Sequence, residues 1–125
     1  MTGALRATSA LLTTLLLAGG ARADGDAVRG EARFQDCAAC HRLEAGINNV
    51  GPSLHGIFSR KAGELPDFRY SPALKHSGIT WTPETLDAFL TNPQALVPGN
   101  RMPYAGMADA GNRADLIAHL LKASK

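Results

Sequence analysis

The chain has few cysteines, few aromatic residues and little net charge. Of its 125 residues only two are cysteine and 6% are aromatic, and 13 basic residues nearly balance 11 acidic ones. A structural zinc site needs four ligands, and there is no second cysteine pair to supply them. Binding to nucleic acid needs a clustered basic face, which this composition does not favour. We therefore expect neither a zinc module nor a nucleic-acid-binding protein.

Long hydrophobic runs are missing as well. The apolar stretch from Ala10 to Ala18 is shorter than the about 20 residues that span a bilayer. Arg6 precedes it, and Ala-Arg-Ala at 21–23 has the small-x-small pattern of a secretory cleavage site. These features predict a cleaved signal peptide over residues 1–23 and a mature chain over 24–125 in a bacterial periplasm. An uncleaved N-terminal anchor is the alternative.

The mature chain is formally neutral. Cleavage would remove two basic residues, Arg6 and Arg22, and no acidic residue, so 11 basic and 11 acidic residues remain. No polybasic segment is present to bind an anionic membrane, so we expect no stable membrane insertion. The chain also lacks repeats and long linkers, which indicates one small domain.

Helical patterns dominate that domain, and no convincing alternating strand is found. Thr82-Pro83-Glu84 is typical of a helix start, with Thr82 as the N-cap, and this helix should stop before Pro93. The other predicted helical segments are 27–39, a short turn opened by Ser71-Pro72 and closed by Gly78, and about 111–123. The pattern predicts an all-α fold.

The pentapeptide Cys37-Ala38-Ala39-Cys40-His41 carries the chemistry. Two thiols at this spacing followed by an imidazole are the attachment signature of c-type haem. Each thiol can add to one vinyl group, and His41 can then reach the iron. A thioredoxin-like dithiol would need a βαβ context, and a disulfide would close a very small loop. We therefore predict one covalent haem c attached through Cys37 and Cys40.

The second axial position of the iron is open at this point. It can stay free for a gas or peroxide, or be closed by a histidine or methionine. Met102 lies in the turn-rich loop 98–103, and Met107 follows five residues later. Either methionine can instead be core filler. Spacing does not choose between them.

Several ordered runs resemble the class I cytochromes c, both mitochondrial-type and bacterial periplasmic. The matching runs are residues 51–63, 68–75, 78–81 and 92–102. The resemblance implies a single-domain fold whose helices wrap one covalently attached haem. It also implies that Gly30 and Phe34 contact the last helix, where Leu116 packs alongside.

The resemblance assigns roles to individual residues. It implies that His41 and Met102 are the axial ligands, and that the Pro52 carbonyl accepts a hydrogen bond from the proximal imidazole. The residues implied to partner the haem propionates are Arg60, Tyr70 and Trp81.

The chain departs from the family's pattern at the haem edge, where mitochondrial members carry many lysines. Only Arg101 keeps a positive charge there. The positions without a basic residue are Ala32, Asp36, Asn49, Gln94, Ala95, Ala108 and Asp109. We therefore expect docking through apolar and short polar contacts, with weak electrostatic steering.

Together these observations predict a soluble, monomeric one-electron carrier that is not an enzyme. Its partners would be a redox protein donor and acceptor, such as an oxidase, a cytochrome complex or a dehydrogenase. A dedicated haem subunit of a periplasmic dehydrogenase is one alternative, and a stable complex on purification would select it. A peroxidase or gas-binding haem protein is another, and it requires an open or readily displaced sixth ligand.

Overall fold

The structure is a computed structural model that describes Met1, Gly3 and residues 24–125. The predicted signal peptide therefore lies, apart from Met1 and Gly3, outside the described residues. The helices are α1 (Ala27–Ala38), α2 (Pro72–Lys75), α3 (Pro83–Thr91), α4 (Pro93–Leu96) and α5 (Ala110–Ala123). Over residues 24–125 the extended pairing is limited to one isolated bridge between Lys61 and Thr80. The all-α prediction is confirmed.

The helices begin where the sequence supplies caps. The Thr82 hydroxyl accepts from the N–H of Thr85, and the Thr85 hydroxyl accepts from the N–H of Thr82, which is a capping box. The short helix α4 was not predicted. Asn92 ends α3 and its side chain caps α4, whose first residue is Pro93. Pro93 follows the end of α3, and its fixed φ suits the first position of α4.

Helices α1 and α5 cross at Gly30. A Cβ atom on Gly30 would overlap the backbone carbonyl oxygen of Asp115 and would lie 2.8 Å from Cβ of His119. One turn further, the rings of Phe34 and His119 meet with centroids 5.4 Å apart. Because glycine has no side chain, the two backbones can approach to this distance. The contact between the first and last helices is as expected.

A buried carboxylate locks the same crossing. Asp115 is 6% exposed, and its two oxygens accept from Nε and Nη2 of Arg29 at 2.8 and 2.9 Å. The backbone N–H of Asp26 donates to the same carboxylate at 2.7 Å. These hydrogen bonds, first the one from Arg29, hold the pKa of Asp115 below its ordinary value. The start of α1 is thereby fixed onto α5.

The chain between α1 and α3 is held by paired loops. Trp81 N–H donates to the Arg60 carbonyl at 2.9 Å, and Ser59 N–H donates to the Trp81 carbonyl at 2.8 Å. This pairing places Arg60 beside Trp81 although they are far apart in sequence. Within the part of the chain that the structure describes, no helix combines the length and apolar character needed to cross a membrane.

Candidate functional site

One cavity of about 340 Å³ brings the predicted site residues together. Its size falls within the roughly 300 to 1,000 Å³ of typical small-molecule and cofactor sites. All eight predicted residues line it: Cys37, Cys40, His41, Pro52, Arg60, Tyr70, Trp81 and Met102. Most of the remaining wall is apolar and includes Leu54, Ile57, Leu86, Phe89, Leu90, Leu116 and Leu120. An apolar cavity with a few polar groups suits a flat, largely apolar cofactor.

The end of α1 delivers the cysteines and the histidine to this cavity. The helix ends at Ala38, and the N–H groups of Cys40 and His41 both donate to the Cys37 carbonyl, at 3.0 and 2.9 Å. This tight turn lets all three side chains of the motif line one cavity. Burial raises the pKa of the Cys37 thiol to about 11, and the charge of Asp36 adds to the shift. The unmodified thiol is therefore protonated at neutral pH.

The imidazole of His41 is held by one hydrogen bond and a close backbone. Its Nδ1 lies 2.7 Å from the Pro52 carbonyl oxygen, and because a carbonyl only accepts, Nδ1 carries the proton. Nε2 consequently keeps its lone pair for a metal. A Cβ on Gly51 would lie 2.7 Å from Nδ1 and 2.8 Å from Nε2, so glycine leaves room for the ring. Burial lowers the pKa of His41, which favours the neutral form that binds metals.

A second group of cavity residues supplies positive charge and hydrogen-bond donors. The Arg60 guanidinium is held by the carbonyls of His55 and Ser53, at 2.8 and 2.9 Å. Burial raises the pKa of the Tyr70 hydroxyl, against the opposing charge of Arg60, so this hydroxyl stays a donor. Trp81 packs edge-on against Phe89, with ring centroids 5.1 Å apart. Arg60, Tyr70 and Trp81 are thus suited to bind anionic groups such as carboxylates.

The two methionines lie in different surroundings. Met102 lines the cavity, whereas Met107 is not among the lining residues. The Met107 N–H donates to the Leu90 carbonyl at 2.7 Å, and its own carbonyl accepts from the Arg113 guanidinium at 2.8 Å. Met107 packs against the core from a backbone tied to α3 and α5. The structure therefore separates two residues that spacing alone left equivalent.

Three further polar residues that line the cavity were not singled out in the sequence: Arg69, Asn100 and Tyr104. Asn100 had a usable signal, since it stands two residues before Met102 in a Pro-Gly turn. Asparagine side chains in turns bond to the backbone two residues on. Arg69 and Tyr104 offered no pattern that marks them as site residues.

Comparisons with known proteins identify the family. The family model described as Cytochrome c matches residues 27–124. The chain belongs to the cytochrome c family. It is 43% identical over 107 residues to cytochrome c2 of Rhodomicrobium vannielii, covering 85% of this chain and 86% of that relative. It is 44% identical over 102 residues to cytochrome c2 of Agrobacterium tumefaciens, covering 78% of this chain and 92% of that relative.

A solved structure is also similar. Cytochrome cH from Methylobacterium extorquens superposes with a TM-score of 0.74 and 43% sequence identity, over 78% of this chain and 98% of that one. Membership of the family and the spacing of Cys37 and Cys40 establish one covalent haem c. The apolar cavity, the Nε2 lone pair of His41 and the polar groups around Arg60 all fit this cofactor. The protein is thus a cytochrome c whose function is electron transport.

Proposed function

We propose that the protein is a one-electron carrier whose haem iron is held by His41 and Met102. The observation that carries this proposal is that the two residues line one cavity with both cysteines. The haem supplies the one-electron couple of its iron. His41 would offer Nε2 to the iron because Pro52 fixes the proton on Nδ1, and the Met102 thioether would be the second ligand, which would close the iron to substrates. A closed iron favours electron transfer over catalysis, so we propose no enzymatic activity.

The ligand assignment is tested by replacing each of the two methionines with alanine. Met102→Ala should abolish the sulfur-to-iron charge-transfer absorption of the oxidised protein. Met107→Ala is the matched control and should leave that absorption in place, because Met107 is outside the cavity lining. The reverse pattern would show that the wrong methionine was assigned. Rapid binding of carbon monoxide by the reduced protein would contradict a closed iron and favour a gas-binding or peroxidase role.

Electron exchange is proposed to occur through the cavity mouth. Among the lining residues, Val50 is 67% exposed, and Pro103 is exposed too. The charged residues that line the cavity and lie exposed are Asp36, Arg69 and Arg101, of mixed sign. This mouth supports the proposal of a redox protein partner that docks through apolar and short polar contacts.

The proposed location is a bacterial periplasm, with the mature monomer spanning residues 24–125. The signal pattern of residues 1–23 supports export, and the similar cytochromes c2 come from bacteria. Mass spectrometry of the haem protein purified from a periplasmic fraction should find Asp24 as the first residue. A haem protein that keeps Ala23 and the preceding segment in the membrane fraction would contradict this proposal. Sedimentation of the purified protein would check that it is a monomer.

A further inference from the structure

Asn100 is a buried amide two residues before Met102. It is 7% exposed, and its Oδ1 accepts the backbone N–H of Met102 at 2.9 Å. Its Nδ2 donates to the carbonyls of Pro93 and Val97, both at 2.9 Å. One side chain therefore joins α4 to the backbone of the proposed ligand.

The three partners admit only one orientation of this amide. The carbonyls of Pro93 and Val97 can only accept, so they must face the NH₂ group. The N–H of Met102 can only donate, so it must face Oδ1. A flipped amide would lose all three hydrogen bonds, because it would place Oδ1 against two carbonyl oxygens and the NH₂ group against the Met102 N–H. The two bonds from Nδ2 thus hold Oδ1 in the orientation that accepts the Met102 N–H.

The backbone of Asn100 is anchored to the same helix. Its N–H donates to the Val97 carbonyl at 3.1 Å, and its carbonyl accepts from Nε2 of Gln94 at 2.9 Å. Beyond Met102, the next backbone anchor to a helix is the bond from Met107 to Leu90. The segment from Arg101 to Gly106 therefore depends on Asn100 for its attachment on the N-terminal side.

We propose that Asn100 is a positioning residue that holds Met102 at the iron and sets how often the methionine leaves it. This inference rests on the proposed function, in which Met102 is the sixth ligand. When Met102 swings away, its N–H leaves Oδ1, while the bonds from Nδ2 to α4 remain. Removing the Asn100 side chain should therefore raise the rate at which Met102 leaves the iron about three- to tenfold, which corresponds to the free energy of one hydrogen bond.

The test uses the oxidised holoprotein and imidazole as an external ligand. At saturating imidazole, the rate of binding equals the rate at which Met102 leaves the iron. Asn100→Ala should raise that limiting rate about three- to tenfold. The matched control is Asn92→Ala, because the Asn92 side chain caps the same helix through the N–H of Ala95 at 3.1 Å and does not bond to Met102. If the two variants open equally fast, α4 stability and not the contact with Met102 controls the ligand, and the inference is overturned.

A measurement on the unmodified protein covers the case in which Asn100→Ala yields no folded holoprotein. Amide hydrogen exchange followed by NMR should show the Met102 N–H protected at least about tenfold relative to an unstructured peptide. Exchange at the unstructured rate would overturn the inference.

Met102→Ala separates the proposed function from the proposed role of Asn100. If that variant keeps the charge-transfer absorption, the proposed function fails, whereas loss of the absorption together with equal opening of Asn100→Ala and Asn92→Ala refutes only the role of Asn100.

Discussion

Replacing Gly30 by alanine should destabilise the protein although it improves the helix. Alanine in a helix interior is favoured over glycine by about 1 kcal/mol. At this position, however, the new Cβ would overlap the Asp115 carbonyl oxygen and approach Cβ of His119 to 2.8 Å. That carbon pair would be about 0.7 Å closer than the roughly 3.5 Å of a good contact. The blocking atoms belong mostly to the α5 backbone, which has no rotamer by which to move aside.

The loss of stability in Gly30→Ala depends on how far α1 and α5 must move apart to make room for the new Cβ. A gap of about 0.5 to 1 Å already loses a quarter to a half of the dispersion energy of the atoms across it. Overpacking of a tight core costs about 1 to 3 kcal/mol, and a backbone obstacle places Gly30→Ala near the upper end. After the helix-propensity gain of about 1 kcal/mol, the net loss is about 2 kcal/mol. For a domain of this length that loss lowers Tm by about 8 to 16 °C.

Guanidinium and thermal unfolding of the oxidised holoprotein measure this loss. The control is Gly111→Ala in the first turn of α5, where the new Cβ would meet only Oδ1 of Asp109 at 3.2 Å. That oxygen is also the N-cap acceptor of the Asn112 N–H at 2.7 Å. A capping loss of about 1 kcal/mol and the helix-propensity gain of about 1 kcal/mol nearly cancel, so this variant should stay within about 1 kcal/mol of the parent. A Gly30→Ala protein as stable as the parent, or more stable, would refute the reasoning. It would mean that the two helices can separate at little cost.

Three further outcomes are expected. Cys37→Ser and Cys40→Ser should each remove one thioether link, and the double variant should release its haem into acid-acetone; haem that stays covalently bound there would contradict the attachment. The folded-state pKa of Asp115 is lowered, first by the Arg29 hydrogen bond. The ionised Asp115 carboxylate therefore stabilises the fold above its unfolded pKa of about 3.9, and this stabilisation is lost as the pH falls towards the folded value. Unfolding measured against pH should therefore show Asp115→Asn less stable than the parent at neutral pH, with a difference that shrinks below about pH 4; a constant difference would show that the pairing is not the cause. The second-order electron-transfer rate with the native partner, measured by stopped flow, should change only slightly between low and physiological salt, since screening acts over about 10 Å at 0.1 M and the mouth has little net charge; a fall of around tenfold would reveal a charged docking face.

Chemistry that depends on neighbours in the chain could be predicted from the sequence. The haem attachment motif works within five consecutive residues, from Cys37 to His41, so its chemistry needs no long-range contact. The start of α3 was likewise predictable, because a cap such as Thr82 bonds to an N–H three residues away. The helix α4 escaped prediction because Asn92 ends one helix and caps the next, and a proline after a helix is read first as a stop.

Which distant residues share the cavity depends on the packing of the whole fold. Spacing left Met102 and Met107 equivalent, and their different surroundings arise from how loop 97–109 is tied to α3 and α5. Arg60 comes beside Trp81 through backbone pairing of two loops, and no periodicity encodes such a pairing. The partners of Asn100 follow from the same loop packing. Hydrogen bonds to neighbours in sequence can be predicted from residue types, whereas contacts between distant segments depend on how all the buried surfaces pack at once.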